Sequence, residues 1–237
     1  MVDEIIKRVK SLHIIMVRGT PASGKTTLMK LVGNKLLETL GHEHVVHVLT
    51  GWAEKDVRMA SNWKRYLEQE TGVHGYEWLI NPAYLLLDEA QESYWDGELW
   101  AAFFKDIEQN NPKSPFVVLF ASYGSPGRGN AGFNQEVYIK TPMDFHAPQM
   151  ISVRPDESVL DFWDPVGLLL EEDEATDIMN RYEPTAGYPF LSSELQRHLF
   201  LITGGHAGAL TSLLGLLPKV PVSVLHNLQF GHIVHED

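Results

Sequence analysis

Arg18-Gly19-Thr20-Pro21-Ala22-Ser23-Gly24-Lys25-Thr26-Thr27-Leu28 joins an apolar run, His13–Arg18, to a helical pattern, Lys25–Leu40. The part Gly19–Thr26 matches G-x-x-x-x-G-K-[ST], and each position has a mechanical reason. Glycines let the backbone wrap an anion closely, and successive amide N–H groups then form a nest. The helix that follows turns its positive end toward the same charge. Lys25 is placed to reach β- and γ-phosphates, and the Thr26 hydroxyl to ligate Mg²⁺. Thr27 is placed near the α-phosphate. The bland alternative is a glycine-rich turn without a ligand. The strand before the motif and the amphipathic helix after it are the context the phosphate reading demands.

Working outward, short apolar runs alternate with helical patterns, as in a parallel sheet with crossover helices. Strands are expected at His13–Arg18, Val45–Leu49, Tyr84–Leu87, Phe116–Ala121 and Met150–Val153. Helices are expected at Lys25–Leu40, with Leu28, Leu31, Val32, Leu36 and Leu37 inward, at Asp56–Gln69, and at Gly97–Glu108, with Leu99, Phe103 and Ile107 inward. Ser122–Phe133 is rich in Gly, Ser and Asn and reads as a loop. After Pro155 the pattern turns helical: Glu171–Tyr182, a helix capped by Ser193 and running to Thr203, and Ala207–Leu217. The expected organisation is a core over 1–155 and a small helical subdomain over 156–237.

Tyr84-Leu85-Leu86-Leu87 ends in Asp88-Glu89. An aspartate at the end of a buried parallel strand is suited to hold Mg²⁺, and a glutamate after it to polarise the attacking water. Asp88 is therefore assigned to the metal and Glu89 to general base. Alone, the pair would pass for an acidic turn; the phosphate loop gives it a partner. An arginine that stabilises transition-state charge would complete the site. Arg128, in the loop after the fourth strand, and Arg154, closing the fifth, are the candidates, in cis or from a neighbouring subunit. Either is otherwise a surface arginine.

The phosphate loop follows the first strand and Asp-Glu the third. This order resembles the additional-strand, catalytic-glutamate (ASCE) class of P-loop ATPases. The resemblance implies that the fourth strand lies between those two and ends in a residue sensing the γ-phosphate, with Ser122 the first candidate and Tyr123 the second. The guanine-reading [NT]-K-x-D is absent from the sequence, which favours ATP.

Further strings carry a narrower likeness: Leu87-Asp88-Glu89-Ala90-Gln91-Glu92-Ser93-Tyr94, Phe120-Ala121-Ser122-Tyr123-Gly124-Ser125-Pro126, Ser152-Val153-Arg154-Pro155, Gly167-Leu168-Leu169-Leu170, and Thr203-Gly204-Gly205-His206-Ala207-Gly208-Ala209-Leu210. In this order they resemble the P-loop ATPase domain of Crinkler-type effectors and related fungal proteins, within the signal-transducing ATPases (STAND) related to AAA+ proteins. The resemblance implies an ATP-driven switch beside a separate toxin or nuclease-like module, controlled partners or self-association, and delivery to a host cell in some members. His206 stands where such ATPases carry a second sensor or a Gly-x-Pro motif. It is placed either to contact the nucleotide or, in the plainer reading, to lie in a helix C-cap.

Composition excludes several other classes. The chain has 237 residues, with 19 Lys+Arg against 31 Asp+Glu and a formal net charge of -12. Such a surface repels nucleic-acid backbones at long range, so direct nucleic-acid binding is not expected. Without cysteine there are no disulfides or thiolate metal sites, which fits a reducing, cytoplasmic or nuclear setting. No apolar run reaches the roughly 20 residues that span a bilayer. His42, His44 and His47 cluster, but alternation along a strand would split them between faces. The tryptophans at 52, 63, 78, 95, 100 and 163 read as core and interface anchors rather than base-stacking platforms. Two rival functions remain: a P-loop kinase acting on a small molecule or polynucleotide, and a nucleotide-binding interaction module with little turnover.

Overall fold

The computed structural model describes residues 1–40, 46–75, 77–107, 111, 113–122, 143–159, 162–182 and 191–217. The chain divides into two compact units. One comprises Met1–Thr20 and Lys25–Gly167; the other comprises Pro21–Gly24 and Leu168–Asp237.

The first unit is built on a parallel sheet of five strands: β1 (Ile14–Arg18), β2 (Val46–Leu49), β3 (Tyr84–Leu87), β4 (Phe116–Ala121) and β5 (Met150–Ile151). β1, β3 and β4 are continuous apolar runs because nearly every residue is buried on one face or the other. Their order is β2-β3-β4-β1-β5, so β4 lies between β1 and β3, as the resemblance implied. Register sets Arg18 opposite Ala121 and Val17 opposite Ile151. All strands run the same way, so their carboxyl ends open on one edge, where ligands bind in such sheets. β5 is shorter than expected; past it, Ser152 makes only an isolated parallel bridge to Gly167.

Helix α1 (Val2–Leu12), which the sequence reading did not anticipate, packs on α2 (Lys25–Leu40) and beside β1. Arg8 and Glu4 form a buried ion pair on it, Nε to Oε1 at 2.8 Å. The Arg8 guanidinium also donates to the carbonyls of Pro148, Met150 and Asp164, while Glu4 Oε1 accepts from the Asp164 N–H. α2 buries Lys25, Leu28, Met29, Val32, Gly33 and Leu36. Leu31 and Leu37, expected inward, are 51% and 56% exposed. At 100° per residue they fall on either side of the stripe that Lys25, Leu28, Val32 and Leu36 define.

Asp56–Gln69, expected as one helix, is two: α3 (Glu54–Met59) and α4 (Trp63–Thr71). Ser61 takes a left-handed φ of 82°, and the Asn62 side chain caps α4 by accepting from the Arg65 N–H. Gly97–Glu108 is also corrected. Leu99–Phe104 is a π-helix, whose wider turn sends Leu99, Trp100, Phe103 and Phe104 inward together. A 3.6-residue turn spreads two adjacent pairs of bulky residues more widely. Trp52, Trp63, Trp78 and Trp100 are buried in the same core, as the sequence suggested. Each large apolar side chain so enclosed stabilises the unit by about 1.5–3 kcal/mol.

In the second unit, α5 (Glu172–Asn180), α6 (Ser193–Thr203) and α7 (Ala207–Leu216) enclose Ala175, Met179, Leu195, Leu199, Leu210 and Leu214. The cap of α6 is Ser192, one residue before the expected Ser193, with Oγ accepting from the Leu195 N–H. Among the described residues no helix is long and apolar enough to cross a membrane.

Candidate functional site

The phosphate-loop sequence leaves β1 as its last ladder bond closes, Gly19 N–H to Ala121 C=O at 3.0 Å. Ala22 and Gly24 then take left-handed φ values of 60° and 92°. At Gly24 this backbone is open to glycine and strained for any other residue. Lys25 opens α2 on its buried face and is 5% exposed. Its Nζ donates to the carbonyls of Gly19 at 2.8 Å and Thr20 at 3.1 Å. Burial pushes the Lys25 ammonium below its ordinary value, and the negative charges of Glu89 and Asp88 oppose that shift. The Ser23 hydroxyl is buried without a hydrogen-bond partner among the described residues. A buried hydroxyl left without a partner suits an oxygen-rich ligand.

Asp88 lies just past β3, and the sheet order carries it across the end of β4 to α2. Asp88 is 4% exposed, and its Oδ2 accepts from Thr26 Oγ1 at 2.7 Å. Oδ1 accepts from the Glu89 N–H at 3.0 Å. Residues 62 positions apart thus meet as a hydroxyl and a carboxylate, the oxygen donors that suit Mg²⁺. Glu89 is half-buried and left-handed, with φ 47° and ψ 40°, and this bend starts the 3₁₀ turn Ala90–Ser93. The bend curls the chain so that Gln91 Nε2 donates to Glu89 Oε2, while Gln91 Oε1 accepts from the Ser122 N–H at 2.9 Å.

Around the end of β1 a pocket of about 390 Å³ is lined by Arg18, Gly19, Thr20, Ser122, Ser152, Val153 and Arg154. Arg18 Nε donates to Ser152 Oγ at 2.8 Å. The structure therefore brings together Lys25, Thr26, Asp88 and Glu89 on one side and sets Arg154 on the other, with Ser122 at the end of β4 between them. Thr27 is exposed on the first turn of α2. Arg128 and Tyr123 lie outside the described residues, as do His42 and His44. His47 packs its ring edge-on against Trp78. Its burial lowers its pKa below the ordinary imidazole value.

In the second unit, Gly204 is the left-handed C-cap of α6, and His206 is the N-cap of α7, its Nδ1 accepting from the Ala209 N–H. His206 thus begins a helix rather than ending one. Within that unit, a side chain at Gly208 would meet the Ala22 carbonyl and Cβ at 2.5 Å, so α7 abuts the loop tip through glycine.

Gln91, Arg18 and Ser152 were missed by the sequence reading. Gln91 stood in a quoted string without a role, because its partner Ser122 is 31 residues away. Comparison with protein-family models finds no match, and comparison with curated proteins finds none.

Proposed function

We propose that this chain binds ATP with Mg²⁺ through Gly19–Thr26 and hydrolyses it, working as a nucleotide-driven switch. The observation that carries this reading is the Thr26–Asp88 bond across the end of β4, with Glu89 next in the chain. A turn that merely resembled a phosphate loop has no reason to meet an Asp-Glu pair from another strand. The strand order β3-β4-β1 supports the ASCE class of P-loop ATPases. The motif strings further support a STAND-type domain like that of Crinkler-type effectors.

Each residue then has a task. Amide N–H groups of the loop donate to the β-phosphate oxygens, and the Lys25 ammonium exchanges two carbonyl partners for β- and γ-phosphate oxygens. Thr26 and Asp88 would hold Mg²⁺, which when bound neutralises charge on the phosphates. Glu89 accepts a proton from water as its oxygen bonds to the γ-phosphorus. The bond from that phosphorus to the β–γ bridging oxygen breaks, and ADP and phosphate leave. Ser122 and Arg154 lie on the flank where they can meet the γ-phosphate. Loss of that phosphate is felt at Pro21–Gly24, the loop tip packed with α7, which is the proposed origin of switching.

Phosphate release from MgATP by the wild type and Glu89→Gln tests this. The variant should lose about 10²–10⁴-fold in kcat while keeping nucleotide affinity. A variant as fast as the wild type would remove Glu89 from the base role. ATP consumption that rises only with an added acceptor would point to a kinase, and tight binding with negligible wild-type turnover to an interaction module.

A further inference from the structure

Gln91 makes a directional bridge that no motif assigns. Its amide has one donor end and one acceptor end, and its two partners fix which is which. A carboxylate only accepts, so Nε2 must face Glu89; a backbone N–H only donates, so Oε1 must face Ser122. A flipped amide would set acceptor against acceptor and donor against donor. The anchor is stiff: Ser122 directly follows β4, an interior strand held by β1 on one side and β3 on the other. The 3₁₀ turn that carries Gln91 is tied by the Ser93 hydroxyl to the Ala90 carbonyl at 2.6 Å.

We propose that Gln91 is a positioning residue for the general base: it holds the Glu89 carboxylate to the end of β4 and leaves the second carboxylate oxygen to accept the proton of the attacking water. The inference rests on the hydrolytic reading above. A glutamate side chain has several soft torsions, and freezing them costs rotamer entropy. The bridge meets that cost before the substrate arrives. It also ties the base to Ser122, so one strand end sets the place of both the base and the candidate γ-phosphate sensor. The Lys25 ammonium feels the charge of the same carboxylate, but its Nζ donates to the Gly19 and Thr20 carbonyls, while Asp88 accepts from Thr26 and from the Glu89 N–H.

Two substitutions separate positioning from simple support. Gln91→Met keeps the shape and loses both bonds. Gln91→Glu keeps an acceptor for the Ser122 N–H but puts a carboxylate against Glu89. Steady-state kcat and the Kd of a nonhydrolysable ATP analogue with Mg²⁺ are measured for each. Both variants should lose about 10–100-fold in kcat with Kd within about twofold, since misplacing a reacting group by an ångström costs on that scale. In a Glu89→Gln background, Gln91→Met should have no further effect on the residual rate. A Gln91→Glu protein at wild-type kcat, a loss that falls on Kd, or independent losses in the double variant would each overturn the proposal. A wild type without turnover removes the hydrolytic reading and the inference with it; a wild type that turns over beside equally fast Gln91 variants removes the inference alone.

Discussion

The carboxyl end of β1 has two flanks of opposite chemistry. Toward β3 lie Lys25, Thr26, Asp88 and Glu89, where carboxylate oxygens and a hydroxyl converge beside one ammonium. Toward β5 lie Arg18, Ser152 and Arg154 around a pocket, with Ser122 between the flanks. The first flank suits a divalent cation, and the second suits anionic oxygen. The proposed ligand, a metal–triphosphate complex, carries both signs. The flanks also differ in construction. The acid flank has Lys25 and Asp88 buried and is stapled by the Thr26–Asp88 hydrogen bond. The arginine flank hangs on a two-residue strand and on helix α1.

That difference can be broken most forcefully at Arg8. Arg8→Ala leaves Glu4 buried without its cation and removes donors from the Pro148 and Met150 carbonyls. Stability should fall by about 3–5 kcal/mol in denaturant unfolding. Amide exchange should quicken around Met150–Ser152 before it does in β3. Equal quickening in both would show that the flanks are not separately held.

Arg154 is exposed, and its removal sharpens the comparison in function. Arg154→Ala should weaken MgATP binding or turnover about tenfold, or about 1.4 kcal/mol, and leave the unfolding midpoint in place. Calorimetric titration and phosphate release would check this. If neither changes, the function belongs to the acid flank alone.

The smallest effect is expected behind the acid flank. Asp96 accepts from Trp52 Nε1 and from the Leu99 N–H, and Trp52 N–H in turn donates to Glu92. Burial raises the Asp96 pKa above the ordinary carboxylate value, against those hydrogen bonds, which lower it. Folded chains therefore keep this proton at pH values where unfolded chains have lost it. Stability from this group rises as pH falls from the folded pKa to the ordinary value. Asp96→Asn should change stability at pH 7 by about 1 kcal/mol or less and reduce this gain at acid pH. Melting temperatures of both proteins between neutral and acid pH would show it. An unchanged slope would mean that Asp96 does not titrate in the fold.

Much of the acid flank could be read residue by residue. Tyr84–Leu87 and Phe116–Ala121 form strands with the expected ends, since strands buried on both faces must be apolar at every position. Gly19–Thr26 and Asp88-Glu89 are contiguous, so their chemistry is written in local order. α1 was missed because its buried Glu4 and Arg8 look like surface charges until they are paired. The break at Ser61 and the π-turn at Leu99–Phe104 were missed because core packing, rather than helical period, set them.

The strand runs, the phosphate-loop motif and the acid pair are legible along the chain, because each is a property of neighbouring residues. Folding alone brings Thr26 to Asp88 and Arg18 to Ser152, and lets Gln91 tie Glu89 to Ser122. Those contacts follow from strand order and register. These are global choices of the sheet, made by burial of whole strands rather than by any one residue.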